Sequence, residues 1–237
     1  LNVQRFDAEI VAITPATPTI HTLRLSISDP AFRFLPGQWV DFSIEIDGTP
    51  CTAGYSITNS PLDRGGIELA IRTSARHPVA HWIHGAARVG DRVRVSQGQG
   101  PFVYLPEMSE NVVLIGGGVG VTPLISIFRH VRDAGLSTRA RLLYSVSTPE
   151  EILFRDELRA AADTHANLSV DFTVSQPAAG WTGLAGRIDA SKLGRIDAPP
   201  DTLYYLCGPK GMVEDMSGLL HEEMGVPMSR IIFEKWW

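Results

Sequence analysis

Three segments of this 237-residue chain hold residue types and spacings that could do chemistry. Gly116-Gly117-Gly118-Val119-Gly120-Val121-Thr122-Pro123 follows an apolar run and opens a helical pattern. Glycines there let a ligand approach the backbone, and a helix start offers unsatisfied N–H groups to a pyrophosphate. The same residues also suit a plain strand-to-helix turn. They form neither a GxGxxG fingerprint nor a P-loop, since no Gly-Lys-Ser/Thr follows. Cys207-Gly208-Pro209 repeats the arrangement, ending one apolar run and opening another helix. Ligands of open parallel sheets sit beyond the C-terminal strand ends, so two such ends can face one nucleotide. Cys207 is then either a small core residue or a group placed at the reacting end. The third segment is Tyr55-Ser56-Ile57-Thr58-Asn59-Ser60-Pro61, preceded by Phe34-Leu35-Pro36-Gly37-Gln38-Trp39-Val40. Its ring and neighbouring hydroxyl could stack on a planar ligand and bond its polar edge; strand propensity alone also accounts for them.

His77, His81 and His84 are spaced four and three apart, along one side of a short helix. Two imidazoles so placed can bind zinc, but no Cys or carboxylate in that stretch completes a ligand set. The expectation is no metal, with His77 or His81 either contacting phosphate or lying on the surface.

These residues need elements to position them. Before residue 106, strand patterns cover Phe6–Thr14, Ile20–Ser26, Trp39–Ile46, Ala53–Ile57, Ile67–Arg72 and Arg92–Gln97. Turn signals such as Asp47-Gly48 and Gly90-Asp91 separate them, which predicts a small antiparallel barrel or sandwich. One short helix, Val79–Ala87, interrupts it, with Pro78 at its first turn. After residue 106 the pattern alternates: strand Asn111–Ile115, helix Pro123–Ala134, strand Ala140–Val146, helix Pro149–Asp163 and strand Ser169–Val174. Strand Leu203–Cys207, helix Lys210–Met224 and strand Arg230–Glu234 complete it. Apolar strands alternating with helices predict a parallel sheet with crossovers. The expected domains are 1–106 and 107–237, with a hinge over Leu105–Glu110.

Composition excludes several classes. Hydrophobic residues make up 44% and the formal net charge is −5, which argues against disorder and against nucleic acid as the main partner. The longest uncharged stretch, Val112 to Phe128, is too short for a membrane span and is broken by glycines and Pro123. With no secretion-type leader visible, the expected location is cytoplasmic; the chain opens on Leu1 rather than Met, which leaves an upstream segment open. Two distant cysteines cannot hold an iron–sulfur cluster.

Pro36-Gly37-Gln38, Tyr55-Ser56, Gly90-Asp91, the Gly117–Pro123 loop and Cys207-Gly208-Pro209 occur in the order found in the ferredoxin–NADP reductase superfamily, which the chain resembles from Phe34 to Glu234. Gly54-Tyr55-Ser56-Ile57, His77-Pro78 and the ending Phe233-Glu234-Lys235-Trp236-Trp237 resemble more narrowly the oxidoreductase NAD-binding domain-containing branch. The resemblance implies a flavin-binding β-barrel followed by a Rossmann-like nucleotide domain, with FAD rather than FMN. Tyr55 would stack on the isoalloxazine and Ser56 would bond near its N5. Ile57, Thr58, Ile71, Arg72, His77, Val79 and Ala80 would line the flavin site. Gly117, Gly118, Val119, Gly120 and Thr122 would hold the nicotinamide nucleotide, together with Ser147, Cys207, Gly208 and Pro209. Ser56, Cys207 and Glu234 would serve hydride transfer, and Trp237, or else Trp236, would cover the flavin face opposite Tyr55; the alternative for these tryptophans is an aromatic plug between the domains or a docking patch for another subunit.

Relatives that prefer NADPH carry an Arg where this chain has Ser147, which implies NADH as donor; Arg155 is the cation that could reach back. Two departures stand out. Ala53 replaces the Arg that pairs with flavin phosphate, and His77-Pro78-Val79-Ala80 replaces the helix-opening Gly and Ser. Arg72 or Arg76 could supply the lost charge. The leading reading is therefore a flavin-dependent NAD(P)H oxidoreductase passing electrons to a separate acceptor, such as an iron–sulfur or haem protein. The rival is a nucleotide-binding regulatory or interaction module that has lost tight flavin binding.

Overall fold

The computed structural model describes residues 3–236, with side chains through Glu234. The first sheet is antiparallel and holds β1 (Arg5–Pro15), β2 (Ile20–Ser26), β3 (Trp39–Ile46), β4 (Thr49–Ser56), β5 (Ile67–Arg72) and β6 (Arg92–Ser96). Its order is β4-β3-β6-β1-β2-β5, and the sheet curls until its edges meet at the bridge Ile57↔Leu69. Alternation drives the curl: Phe6, Ala8 and Ile10 of β1 face inward while their neighbours are exposed. β4 begins earlier than its apolar pattern suggests. Asp47 (φ 48) and Gly48 (φ 76) make a two-residue left-handed turn that pairs Ile46 with Thr49 and zips the hairpin from its tip. Helix α1 (Pro78–Gly85) caps the barrel with Val79, Ala80 and Ile83.

The second sheet is wholly parallel, in the order β10-β9-β8-β7-β11-β12. Its strands are β7 (Asn111–Gly117), β8 (Arg139–Val146), β9 (Leu168–Val174), β10 (Leu184–Ala185), β11 (Leu203–Pro209) and β12 (Ile231–Trp236). Every residue of β7 is buried, as a central strand covered on both faces requires. The helices are α2 (Thr122–Asp133), α3 (Arg155–Thr164), α4 (Ala190–Leu193) and α5 (Lys210–Gly218). Among the described residues, no helix is long and apolar enough to cross a membrane.

Three expectations need correction. The helix expected over 149–163 is a turn at Pro149–Glu151 followed by α3, because Phe154 adopts a left-handed φ of 56. The helix expected over 210–224 is α5 followed by a wider turn over Leu219–Glu223. β10 and α4 lie where no element was expected.

The two sheets are joined through Arg129 on α2, which is buried. Its Nη1 donates to Glu68 Oε1 (2.6 Å) and the Thr58 carbonyl (3.1 Å) of the barrel, and its Nη2 donates to Glu157 Oε2 on α3 (2.5 Å). Burial alone would raise the Glu157 carboxyl, but its bonds to Arg129 and Arg132 outweigh that and hold it below the ordinary range. Ser126 Oγ adds a bond to the Asn59 carbonyl (2.8 Å), and Glu151 Oε2 accepts from Thr17 and Thr19. Removing the cation strands the Glu68 carboxylate and leaves Glu157 with Arg132 alone, so Arg129→Ala should cost about 3–5 kcal/mol of unfolding free energy. Urea denaturation checks this. A loss under about 1 kcal/mol, typical of exposed pairs, would show that the cluster does not hold the sheets together.

Candidate functional site

A cleft of ≈ 510 Å³ opens where barrel and parallel sheet meet. The end of β4 supplies Ala53, Tyr55 and Ser56, the end of β5 supplies Arg72, and His77 and Ala80 come from the start of α1. Val119 and Thr122 of the glycine loop form the facing wall. The Tyr55 ring is half-buried, edge-on to Phe42 with centroids 6.2 Å apart, and its hydroxyl is buried without a hydrogen-bond partner. That burial pushes the phenol well above its ordinary acidity range. Ile57, Ile71 and Val79 instead fill the barrel core. The hydroxyl of Thr58 donates to Glu68 Oε1 (2.6 Å), which ties it to the Arg129 cluster. Those four side chains hold the wall in place and do not line the cleft.

A second cleft of ≈ 450 Å³ lies over the C-terminal ends of the parallel strands. Gly117 and Gly118 line it after β7, Ser145 and Ser147 at β8, Ser175 after β9, Arg187 after β10, and Pro209 and Met212 beyond β11. Backbone packing demands glycine at 120 in the adjoining loop, and position 117 is crowded by a side chain. A Cβ at Gly120 would stand 2.4 Å from Gly208 Cα, and one at Gly117 would stand 2.4 Å from Met212 Sδ. Gly118, at φ +54, meets open space instead. Arg72 lines both clefts, so the two adjoin at this residue.

Cys207 is fully buried in β11, in register with Gly116 on one side and Glu234 on the other. Glu234 brings a carboxyl beside the barrel: a methyl group at Gly100 would lie 3.9 Å from its Oε1 and 2.7 Å from Trp39 Nε1. Its Oε2 is buried without a hydrogen-bond partner, and burial pushes the carboxyl pKa up to about 7. The backbone of Trp236 pairs with Pro209, whereas Trp237 lies outside the described residues.

The histidines expected to share one helix side separate. His77 is exposed at the cleft, while His84 Nε2 lies 2.9 Å from the Ile71 carbonyl and its ring stacks on His21 at 4.0 Å. Among the described residues, no group of three His, Cys, Asp or Glu side chains is placed to hold a metal. Arg155 does not line the nucleotide cleft: its guanidinium sits over the Trp181 ring, 5.5 Å from the centroid. Arg187, Ser145, Ser175 and Met212 do line it and were missed, because the 175–190 stretch shows no periodicity and Met212 reads as an ordinary helix residue.

Comparison with known proteins agrees with this geometry. Residues 8–104 match the oxidoreductase FAD-binding domain family and residues 114–218 the oxidoreductase NAD-binding domain family. Oxidoreductase NAD-binding domain-containing protein 1 of Danio rerio is 39% identical over 256 residues, spanning 99% of this chain and 93% of its own length. The chain belongs to that family. It is also 27% identical to ferredoxin–NADP reductase B of Sorangium cellulosum, over 100% of this chain and 99% of that protein. The cytochrome b5 reductase domain of Ulva prolifera nitrate reductase shares the fold, with a TM-score of 0.84, 24% identity and 99% of each chain covered. The fold is thus that of the ferredoxin–NADP reductase superfamily, and the chain belongs by family among the oxidoreductases with FAD-binding and NAD-binding domains.

The pH dependence of stability tests the Glu234 environment. Its folded pKa, about 7, exceeds the ordinary 4.5, so the native state holds this proton more tightly than the unfolded chain. Its contribution is full below pH 4.5 and is lost as pH rises through about 7. Glu234→Gln should therefore flatten the fall in Tm across that interval. An unchanged slope would mean the carboxyl is hydrated and already charged.

Proposed function

We propose that this chain is a flavin-dependent NAD(P)H oxidoreductase that takes hydride from NADH and delivers electrons to a separate acceptor. The observation that carries the reading is that the two clefts adjoin: both are lined by Arg72, and the neighbouring residues Val119 and Gly118 line one each. One cleft belongs to the barrel and the other to the strand ends of the parallel sheet, so two cofactors can meet edge to edge. The boundary expected at 106/107 separates a flavin-binding unit from a nucleotide-binding one.

The cleft residues fit FAD. The Tyr55 ring offers an aromatic wall, its orphaned hydroxyl can take a polar partner from the cofactor, and Ser56 stands beside it. Ala53 leaves no cation at the usual phosphate position, while Arg72, Ser74 and His77 line the same cleft and can replace it. When bound, the flavin supplies the two-electron carrier that the side chains of this protein lack. Gly117, Gly118 and Gly120 let the pyrophosphate approach the loop backbone that opens α2. Cys207 and Gly208 shape the floor at the nicotinamide end. Glu234, with acidity near neutral, can hold or release a proton beside the reacting edge. Ser145, Ser147 and Ser175 offer hydroxyls suited to the ribose diol of NADH. With two cysteines, the chain cannot carry its own iron–sulfur cluster, so such a centre, or a haem, would belong to a partner.

Titrating the purified chain with FAD should quench flavin fluorescence, and anaerobic NADH should then bleach the bound flavin. Ala53→Arg should tighten FAD by about tenfold to a hundredfold, as a regained charge-assisted contact predicts. A wild-type chain and an Ala53→Arg variant that both stay colourless at saturating FAD would overturn the enzyme reading. Nucleotide binding without flavin would then favour a regulatory module.

A further inference from the structure

Two of the five methionines, Met212 and Met216, line the nucleotide cleft one turn apart on α5. Met216 is buried, whereas Met212 is half-buried. The other three, Met108, Met224 and Met228, are exposed and lie outside that cleft. The Met212 thioether is seated on two glycines at the ends of neighbouring strands, β7 and β11. A Cβ at Gly117 would stand 2.4 Å from its Sδ and 3.1 Å from its Cε. One at Gly208 would stand 2.7 Å from the same Cε. The sulfur therefore has the two glycines close on one side, and the cleft lies on the other.

A thioether is apolar and polarizable, and a hydroperoxide converts it to a polar sulfoxide. We propose that Met212 is an oxidation site whose sulfoxide weakens nucleotide binding. This rests on the reading of the cleft as a nicotinamide-nucleotide site. In the step a sulfur lone pair attacks the terminal peroxide oxygen, so an S–O bond forms and the O–O bond breaks. The proton on the transferred oxygen passes to the leaving oxygen, which departs as water or an alcohol. Sulfur loses two electrons and the peroxide gains them. Gly117 and Gly208 leave no room for the added oxygen on their side, so it projects into the cleft. There its negative end faces the phosphates that the Gly117–Gly120 loop would hold, and it competes for the same N–H groups. Turned back towards the glycines, it would be a buried polar atom without a partner. Both arrangements cost nucleotide affinity. By linkage, bound nucleotide must disfavour the oxidised form, and it covers the sulfur directly.

The test treats the full chain with hydrogen peroxide and quantifies each methionine sulfoxide by peptide mass spectrometry. NAD+ binding is measured by calorimetry before and after. Once Met212 is converted, Kd for NAD+ should rise about tenfold or more, as loss of one charge-assisted phosphate contact predicts. Met216, buried in the same wall, should stay reduced. Saturating NAD+ during treatment should slow oxidation of Met212 and leave that of Met224 and Met228 unchanged. Each variant is compared with its own untreated sample. Met212→Leu should show no peroxide-dependent change, while the double variant Met224→Leu, Met228→Leu should lose affinity as wild type does. Full conversion of Met212 with an unchanged Kd would overturn the proposal, and so would a loss that persists in Met212→Leu. Oxidation of Met212 no faster than Met216, or at a rate indifferent to NAD+, would overturn it as well. An untreated chain that binds neither NAD+ nor NADP+ would instead reject the cleft as a nucleotide site.

Discussion

The site exists only where two independently built sheets are held at a fixed separation, and the Arg129 cluster holds them. Neither sheet alone forms the cleft: one wall is β4 and β5, the other the glycine loop that opens α2. Arg129 lies on that same helix, so its bonds to Glu68 and the Thr58 carbonyl set how far the loop stands from Tyr55 and Ser56. A rigid helix transmits position along its length at 1.5 Å per residue. Thr58 is only three residues along the chain from Tyr55, which makes the ruler short at both ends. Desolvating a guanidinium is costly, and here two carboxylates and a carbonyl offset that cost, which ties the geometry to the charge pairing.

The left-handed turn at Phe154 belongs to the same constraint. It breaks the expected helix and places its ring under Arg129, 4.2 Å from the guanidinium carbon, while Leu153 is buried and its N–H donates to the Tyr144 hydroxyl (3.4 Å). A bulky residue at positive φ is strained locally. The cation–π contact and the start of α3, which delivers Glu157, accompany that strain.

Which features were legible in the sequence follows from whether their cause is local. Strand alternation in β1, the buried run of β7 and the proline that opens α2 are local, and they read correctly. So do the glycine loop and Cys207-Gly208-Pro209, because close backbone approach admits few residue types. The break at Phe154 has no Gly or Asn to announce it, since the partner that compensates it is remote. Arg187 was invisible for a related reason: its place at the cleft follows Gly186, which is clamped to the end of β9 across 13 residues of chain with no periodic pattern. Arg155 looked available in sequence and is not, because Trp181 covers it from the same irregular stretch.

The loss of the phosphate-pairing cation at position 53 then bears on how the two clefts work together. On the proposed reading, Arg72 would serve the flavin phosphates while also bordering the nucleotide loop at Gly118. A guanidinium shared between two anions stabilises each less than one dedicated to either, because its donors and its field are divided. Placing the cation at the junction rather than inside one cleft would therefore couple the two ligands: each bound anion draws on the same charge. A cation at position 53 would have kept the two sites electrostatically separate, so the substitution changes the relation between the cofactors as well as the strength with which one is held.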